Sequence, residues 1–381
     1  MNSYFEILNF IEQSKCKKLK ISDVLKVQTK YKSISKEQVR KTGKYPVIDQ
    51  SQRYISGYSD EEILLLENDE CIIFGDHTRE IKFVNFNFIP GDSGVKVLKC
   101  VNPTQVCTKY IYYSMKNLEI PNRGYNRHWS VVSKMEIFLP PIEVQKKIVQ
   151  IFDVFEKNIE LEEEKQELNL LQKVYYRNKF IKIHSKKDII ELKQITMLRN
   201  EKNKKQLKYE PYSITQKGLI PTKDYFKEKT NITSQNTSNY YVVKRNWFVY
   251  SPSRIDVGSI NYLKDEGPVI VSPIDVVFEV VDSTFSSEYL LNVFLSDYGM
   301  NQIVNNRKGI EGTGRKNLPY EDFCKIRVPK ITMEEQLVFN SMIDKFNKQS
   351  EANSNYINYL KLQFKYYMKR LLSFKEVEVN E

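Results

Sequence analysis

The chain has 381 residues, more than one hydrophobic core usually serves, and its 41% hydrophobic and 12% aromatic content excludes a disordered protein, so two globular parts are expected. Lys and Arg number 59 against 48 Asp and Glu, and the net charge of +11 favours a polyanionic partner, nucleic acid ahead of an anionic membrane surface. No apolar run approaches the roughly 20 residues of a spanning helix, no secretory signal pattern is present, and five scattered Cys never fall in C-x-x-C spacing, which excludes a disulfide framework or zinc site and points to a cytoplasmic protein.

The first globular part, residues 19–139, reads as short strands at 71–74, 81–88 and 95–101, broken by Gly75, Pro90-Gly91 and Gly94. Its loops hold three clusters of side chains suited to bases and phosphates: Gln50, Ser51, Gln52, Arg53 and Tyr54 after Asp49; His77, Thr78 and Arg79; and Arg123, Tyr125, Asn126, Arg127 and His128 around Gly124. Arg pairs with guanine edges, Asn and Gln with adenine, and all of these types can hold phosphate oxygens. After Leu139-Pro140-Pro141 the spacing predicts a helix over about 143–181, without internal Gly or Pro. Its apolar stripe is Ile148, Phe152, Phe155 and Ile159, resuming after a break in phase as Leu168, Leu171 and Tyr175.

The second globular part, residues 192–328, shows strand patterns at 240–243, 247–250, 259–263 and 276–281. Its candidate DNA contacts are Gln216 and Lys217; Ser251, Ser253 and Arg254; and Arg307 and Lys308 followed by Arg315 and Lys316. Trp129 and Trp247 suit a core better than a base-stacking platform. A second helix follows Val328-Pro329 over about 333–373, with Phe339, Ile343, Phe346, Ser350, Asn353, Ile357, Leu360, Phe364, Tyr367 and Leu371 at alternating steps of four and three. That is a seam for one partner helix.

The two helices are copies of one another. Setting Gln145 on Gln336, an offset of 191 residues, puts Asp153 on Asp344, Phe155 on Phe346, Leu171 on Leu362 and Tyr175-Tyr176 on Tyr366-Tyr367. The obvious partner of each helix is its duplicate. The two helices together carry a net charge of only +1, which leaves +10 elsewhere, mostly in the globular parts where a nucleic-acid face needs it. Like frames around unlike loops suit two readers of different sequences; identical domains would suit a palindrome. A helix of about 37 residues spans roughly 55 Å at 1.5 Å per residue and can act as a spacer.

Catalytic patterns fare poorly. Gly309 to Gly314 has phosphate-loop spacing, but Arg315-Lys316 follows where Lys and then Ser or Thr is needed. His77, His128 and His184 form no metal pattern. A rival reading takes Asp69, Glu80 and Lys82 as two Mg-binding carboxylates and a water-orienting lysine of a nuclease, and another takes the chain as a helical scaffold. The N-P-P-[YF] segment of an amino-methyltransferase is absent.

The segments Ile137-Phe138-Leu139-Pro140-Pro141-Ile142-Glu143-Val144-Gln145 and Val328-Pro329-Lys330-Ile331-Thr332-Met333-Glu334-Glu335-Gln336, each leading into a long helix, resemble those of the specificity (S) subunits of type I restriction-modification enzymes. Gly43-Lys44-Tyr45-Pro46-Val47 and Ile55-Ser56-Gly57-Tyr58 also look like the opening of many target recognition domains in that family, an opening the second part lacks. The resemblance implies an α+β fold in which two target recognition domains, residues 1–141 and 185–330, are separated by helices 142–184 and 331–375 in an antiparallel coiled coil, with an internal pseudo-twofold repeat and a short tail, 376–381. It further implies a non-catalytic subunit that binds a bipartite double-stranded DNA target. Two methyltransferase (M) subunits using S-adenosylmethionine would dock on it, with restriction (R) subunits using Mg and ATP. No cofactor is expected in this chain itself.

Overall fold

A computed structural model describes residues 14, 16–29, 31, 33–61, 70–91, 94–225, 236–309 and 316–374. Asp69, Gly312, Arg315 and the tail therefore lie outside the described residues. The chain divides into unit 1, residues 1–163 with 355–381, and unit 2, residues 164–354. Each is a mixed α+β body.

Unit 1 runs β1 (Lys17–Lys20), α1 (Ile21–Val24), β2 (Leu25–Val27), β3 (Tyr45–Ile48), β4 (Gly57–Ser59), β5 (Cys71–Gly75), β6 (Ile81–Val84), β7 (Ile89–Pro90), β8 (Val95–Cys100), α2 (Thr108–Lys116), α3 (Trp129–Val132), β9 (Glu136–Leu139) and the first half of α4 (Ile142–His184). The central antiparallel sheet has the order β2-β8-β5-β6. β5, Cys-Ile-Ile-Phe-Gly, is an interior strand buried along its whole length, which is why its sequence is an unbroken apolar run. β6 alternates instead, with Lys82 and Val84 buried. β3 pairs with β4 antiparallel and with β7 in parallel to form a second small sheet. The first strand, β1, pairs antiparallel with the last, β9, so the globular part opens and closes at one place.

Unit 2 continues from the second half of α4 through β10 (Ile189–Glu191), β11 (Thr196–Leu198), β12 (Tyr212–Thr215), β13 (Gly218–Pro221), α5 (Thr222–Tyr225), β14 (Tyr241–Val243), β15 (Phe248–Tyr250), β16 (Ile260–Tyr262), β17 (Val269–Val271), β18 (Val276–Val280), α6 (Ser287–Phe294), α7 (Asp297–Asn306), β19 (Lys308–Gly309), β20 (Lys316–Asn317), α8 (Tyr320–Phe323) and β21 (Arg327–Pro329) to the first half of α9 (Met333–Leu371). Its central sheet is β11-β18-β15-β16. Both central sheets thus place their first, fourth, second and third strands side by side. β10 and β21 close this unit as β1 and β9 close the other.

The duplication extends to single hydrogen bonds. Gln145 is fully buried; its Nε2 donates to the carbonyls of Pro140 (2.7 Å) and Gln105 (3.0 Å), and its Oε1 accepts from the Cys107 amide at 2.8 Å. Gln336, equally buried, donates to Ile331 (3.3 Å) and Thr284 (2.7 Å) and accepts from the Ser286 amide at 2.8 Å. Each glutamine thereby ties the first turn of a long helix to the segment entering α2 or α6, and so satisfies main-chain groups that would otherwise be buried unpaired. Likewise Tyr110 donates to the Phe138 carbonyl at 2.8 Å and Tyr289 to that of Pro329 at 2.9 Å.

In each unit a half of α4 packs antiparallel on a half of α9. In unit 1, Phe155 stacks on Phe364 with ring centroids 5.7 Å apart, and further along Glu163 meets Lys361 at 2.7 Å. In unit 2, Gln166 reaches Ser350 and Ser354 at 2.8 and 3.1 Å, Tyr176 stacks on Phe346, and Phe180 stacks on Phe339 at 4.3 Å. The pair Tyr176 with Phe346 repeats the pair Tyr367 with Phe155, as the offset requires. The seam predicted for α9 is the observed one: Phe339, Ile343, Asn353, Ile357, Leu360 and Leu371 are buried.

The expected change of phase in α4 does not occur. Leu168, Leu171 and Tyr175 are each more than half exposed, and the four-three spacing runs on through Ile159, Glu162, Gln166, Asn169, Lys173, Tyr176 and Phe180. The seam keeps its phase by becoming polar: Asn169, for example, donates to the Phe346 carbonyl at 2.9 Å. Following apolar residues alone therefore leads off the interface.

Candidate nucleic-acid interface

The three predicted clusters of unit 1 come together at one end of β3 and β5. The Asp49 carboxylate accepts from the Ser51 amide (2.9 Å) and hydroxyl (2.6 Å), which turns the chain after β3. Lys82, projecting from β6 and only 5% exposed, donates its ammonium to the carbonyls of Asp49 (2.7 Å) and Arg53 (2.5 Å). Burial pulls its pKa below the ordinary lysine value, partly opposed by the charges of Asp49 and Glu80. The lysine of the nuclease pattern is therefore engaged in fastening a loop. What it fastens is the segment from which Gln52 and Arg53 stand exposed. Tyr54 donates to the Phe83 carbonyl at 2.6 Å, and burial foremost pushes its phenol up to about 12.

The next turn is bolted to the first. Thr78 donates to the Gln50 carbonyl at 2.6 Å, and Gln50 Oε1 accepts from the His77 amide at 3.2 Å. Arg79 sits at φ 66°, a left-handed conformation that directs its guanidinium to the Ile120 carbonyl at 3.1 Å. His77 Nδ1 lies 3.2 Å from the Tyr125 carbonyl, which joins the third cluster.

That third loop is held by Asp76, itself buried at the end of β5. The Asp76 carbonyl accepts from both the amide and Nδ1 of His128, each at 2.9 Å, and its carboxylate accepts from the Trp129 amide at 2.7 Å. His128 Nε2 accepts from the Arg123 amide at 3.2 Å, which fixes the proton on Nδ1. With 1% exposure and both ring nitrogens engaged, His128 supports the loop from beneath. Arg123, Tyr125, Asn126 and Arg127 are all exposed above it, Tyr125 at 96%. Gly124, at φ 62°, supplies the left-handed turn that this tip needs.

Unit 2 has a different layout. Arg307 is the organiser: it pairs with Asp256 and donates to the carbonyls of Ser253 (3.0 Å) and Lys316 (2.7 Å), so it knits residues 251–259 to the β19–β20 strands. Its side chain is 10% exposed and is thus withdrawn from any ligand. Ser251 is buried, while Ser253, Arg254, Lys308 and Lys316 are exposed at the surface that Arg307 builds. Lys308 and Lys325 both bind Asp322 at 2.7 Å, hydrogen bonds that hold its carboxyl below the usual range. Gln216 and Lys217 occupy the exposed β12–β13 turn, where Gly218 at φ 110° comes against Asn261 of β16. Sequence reasoning passed over Asp76, because a residue that orders a loop carries no pattern of its own, and it used Gln145 and Gln336 only to set the register of the repeat.

Among the described residues no group of three or more His, Cys, Asp or Glu side chains is placed to hold a metal ion, and no helix is long and apolar enough to cross a membrane. The described chain has five free cysteines, Cys16, Cys71, Cys100, Cys107 and Cys324.

Residues 13–171 match the family described as the Type I restriction modification DNA specificity domain. Over 153 residues the chain is 29% identical to the specificity subunit of the type I restriction enzyme EcoR124I/EcoR124II of Escherichia coli; the match covers 36% of this chain and 37% of that protein. The fold is similar to that of the S subunit of a type I restriction-modification system from M. genitalium, with a TM-score of 0.57 at 15% identity, covering 95% of this chain and 97% of that one. A chain from a structure concerned with complex assembly and conformational transition of the type I R-M system gives the same TM-score at 12% identity, over 94% and 97% of the two chains. Over residues 13–171 the chain is thus similar to the DNA specificity domain of type I restriction-modification systems, and over nearly its whole length it shares the fold of an S subunit.

Proposed function

We propose that the protein is the DNA-reading subunit of a type I restriction-modification system, recognising a bipartite, asymmetric duplex sequence with one half read by residues 1–141 and the other by residues 185–330. The observation that carries this reading is that two units of one strand order and one set of helix-anchoring bonds carry unlike loops. A shared frame gives both parts one way of docking, and different loops give each its own sequence. In unit 1 the contacts fall to Gln52, Arg53, Arg123, Tyr125, Asn126 and Arg127, with Gln50, Ser51, Tyr54, His77, Thr78, Arg79 and His128 holding the surface in shape. In unit 2 they fall to Gln216, Lys217, Ser253, Arg254, Lys308 and Lys316, and to Arg315, which lies outside the described residues.

On this reading the chain holds no catalytic group or cofactor and works in the cytoplasm. Adenine methylation belongs to two methyltransferase subunits supplied with S-adenosylmethionine, and cleavage to restriction subunits supplied with Mg and ATP. The two long helices act as the spacer between half-sites.

Replacing residues 19–139 by those of another family member, co-expressing the chimera with the methyltransferase subunit and sequencing the methylated sites tests the reading. One half of the methylated sequence is expected to change while the other stays. A change in both halves, or a purified chain that neither binds duplex DNA nor recruits a methyltransferase subunit, overturns it.

A further inference from the structure

At the offset that superposes the two helices, Phe364 and Met368 of α9 correspond to Lys173 and Arg177 of α4, and Phe152 corresponds to Ile343. In unit 1 the place is solid: Phe364 meets Phe152 at 5.6 Å and Tyr113 at 6.2 Å, and Met368 is buried. In unit 2 the corresponding place is a cavity of about 280 Å³ whose lining includes Lys173 and Arg177 from α4, Lys217 from the β12–β13 turn, Lys264 beyond β16, and Glu288 from α6. Four cations thus face one carboxylate.

The cations are poorly compensated. Among the described residues neither Lys173 nor Arg177 has a carboxylate oxygen within 4 Å, and the buried Arg177 Nε has no hydrogen-bond partner. Burial pulls both groups below their ordinary pKa values; Arg177 and Lys264 depress Lys173 further, and only the more distant Asp297 of α7 favours charged Arg177. Glu288 is itself raised by burial, opposed by Lys264. A half-dry cluster of like charges bears a desolvation cost and mutual repulsion, both of which an anion entering the cavity would relieve. The volume lies near the lower end of the range of about 300–1,000 Å³ for small-molecule sites, which suits a small anion. Guanidinium and ammonium groups together match the several acceptor oxygens of a phosphoryl group.

We propose that the unit 2 cavity is a phosphate-binding site, with Arg177 and Lys173 supplying charge from α4 and Lys217 and Lys264 from the opposite wall. The phosphoryl group can come from a free anion or from the backbone of bound DNA, and the site does not depend on unit 2 reading bases.

The test is calorimetric titration of the full chain with inorganic phosphate, against chloride at equal ionic strength. Saturable binding is expected with phosphate alone. The double variant Lys173→Phe with Arg177→Met, which installs the residues of unit 1 and so has a packed precedent in the same molecule, is expected to weaken it by about tenfold or more. Lys217→Gln, at an exposed turn where folding is not at stake, is expected to weaken it less. If duplex DNA competes with phosphate and the double variant also binds duplex more weakly, the site takes backbone phosphate; if duplex leaves the titration unchanged, it takes a free anion. Phosphate heats no different from those of chloride, or binding that survives in both variants, overturn the proposal.

Discussion

Arg127 and His128 are neighbours with opposite surroundings, the first exposed at a loop tip and the second buried with both ring nitrogens bonded. Arg127→Ala is expected to weaken duplex binding by about tenfold without moving the unfolding midpoint, whereas His128→Ala is expected to cost about 1–3 kcal/mol of stability by leaving the Arg123 amide without its ring acceptor and the Asp76 carbonyl with one of its two hydrogen bonds. Fluorescence anisotropy and urea unfolding separate the two. Asp275 gives a second residue-scale expectation. It is 8% exposed, and burial pushes its carboxyl from 3.8 up to about 7. A raised folded-state pKa means that stability present below pH 3.8 is lost as the pH rises through about 7. Asp275→Asn is therefore expected to stabilise unit 2 by about 1 kcal/mol or more at pH 8 and much less at pH 5, a difference that urea titrations at the two pH values measure.

Among the elements, the long helices were the most legible, because proline and an apolar period mark them over many turns. α2 was not: Tyr110, Ile111, Tyr112 and Tyr113 have the aromatic and branched character of a strand, and only their burial against the sheet and α4 makes them helical. The strand expected over 81–88 ends at Val84, because the segment leaves the sheet before Phe88 enters a separate core with Ile48 and Ile73. The seam of α4 was misread where it turns polar, since a heptad search rewards Leu168 and Leu171 over Gln166 and Asn169. Those two polar residues correspond to Ile357 and Leu360 of α9, both buried. Gln166→Ile with Asn169→Leu is accordingly expected to raise the stability of unit 2 by about 1–2 kcal/mol, as polar seam positions cost stability while fixing register. Thermal unfolding together with analytical ultracentrifugation checks both consequences. A stabilised chain that also self-associates would show that the polar seam enforces the intramolecular pairing.

For the whole molecule, the duplication was the most informative feature of the sequence, and it survives in strand order, buried glutamines and paired aromatic rings. The candidate contact surfaces were legible only as clusters. Which member faces outward depends on anchors such as Lys82 and Arg307, whose partners are main-chain carbonyls that no residue pattern reveals. If the helices set the gap between half-sites, lengthening α4 and α9 together by one heptad, about 10 Å, is expected to change the spacing at which the complex methylates DNA. Methylome sequencing of a host carrying the lengthened protein reads this directly, and an unaltered gap would remove the spacer role.

The joint made by Gln145 and Gln336 also bears on how such a protein can change. Every partner of the two side-chain amides is a peptide group: the carbonyls of Gln105, Pro140, Thr284 and Ile331, and the amides of Cys107 and Ser286. A coupling of this kind is blind to the side chains it grips. Any insert whose backbone arrives along the same path is fastened equally well, whatever its sequence. On the proposed reading, exchanging one head leaves this joint intact, and what the new head must still match is the apolar face of the helix, Val144, Ile148 and Phe152 in unit 1.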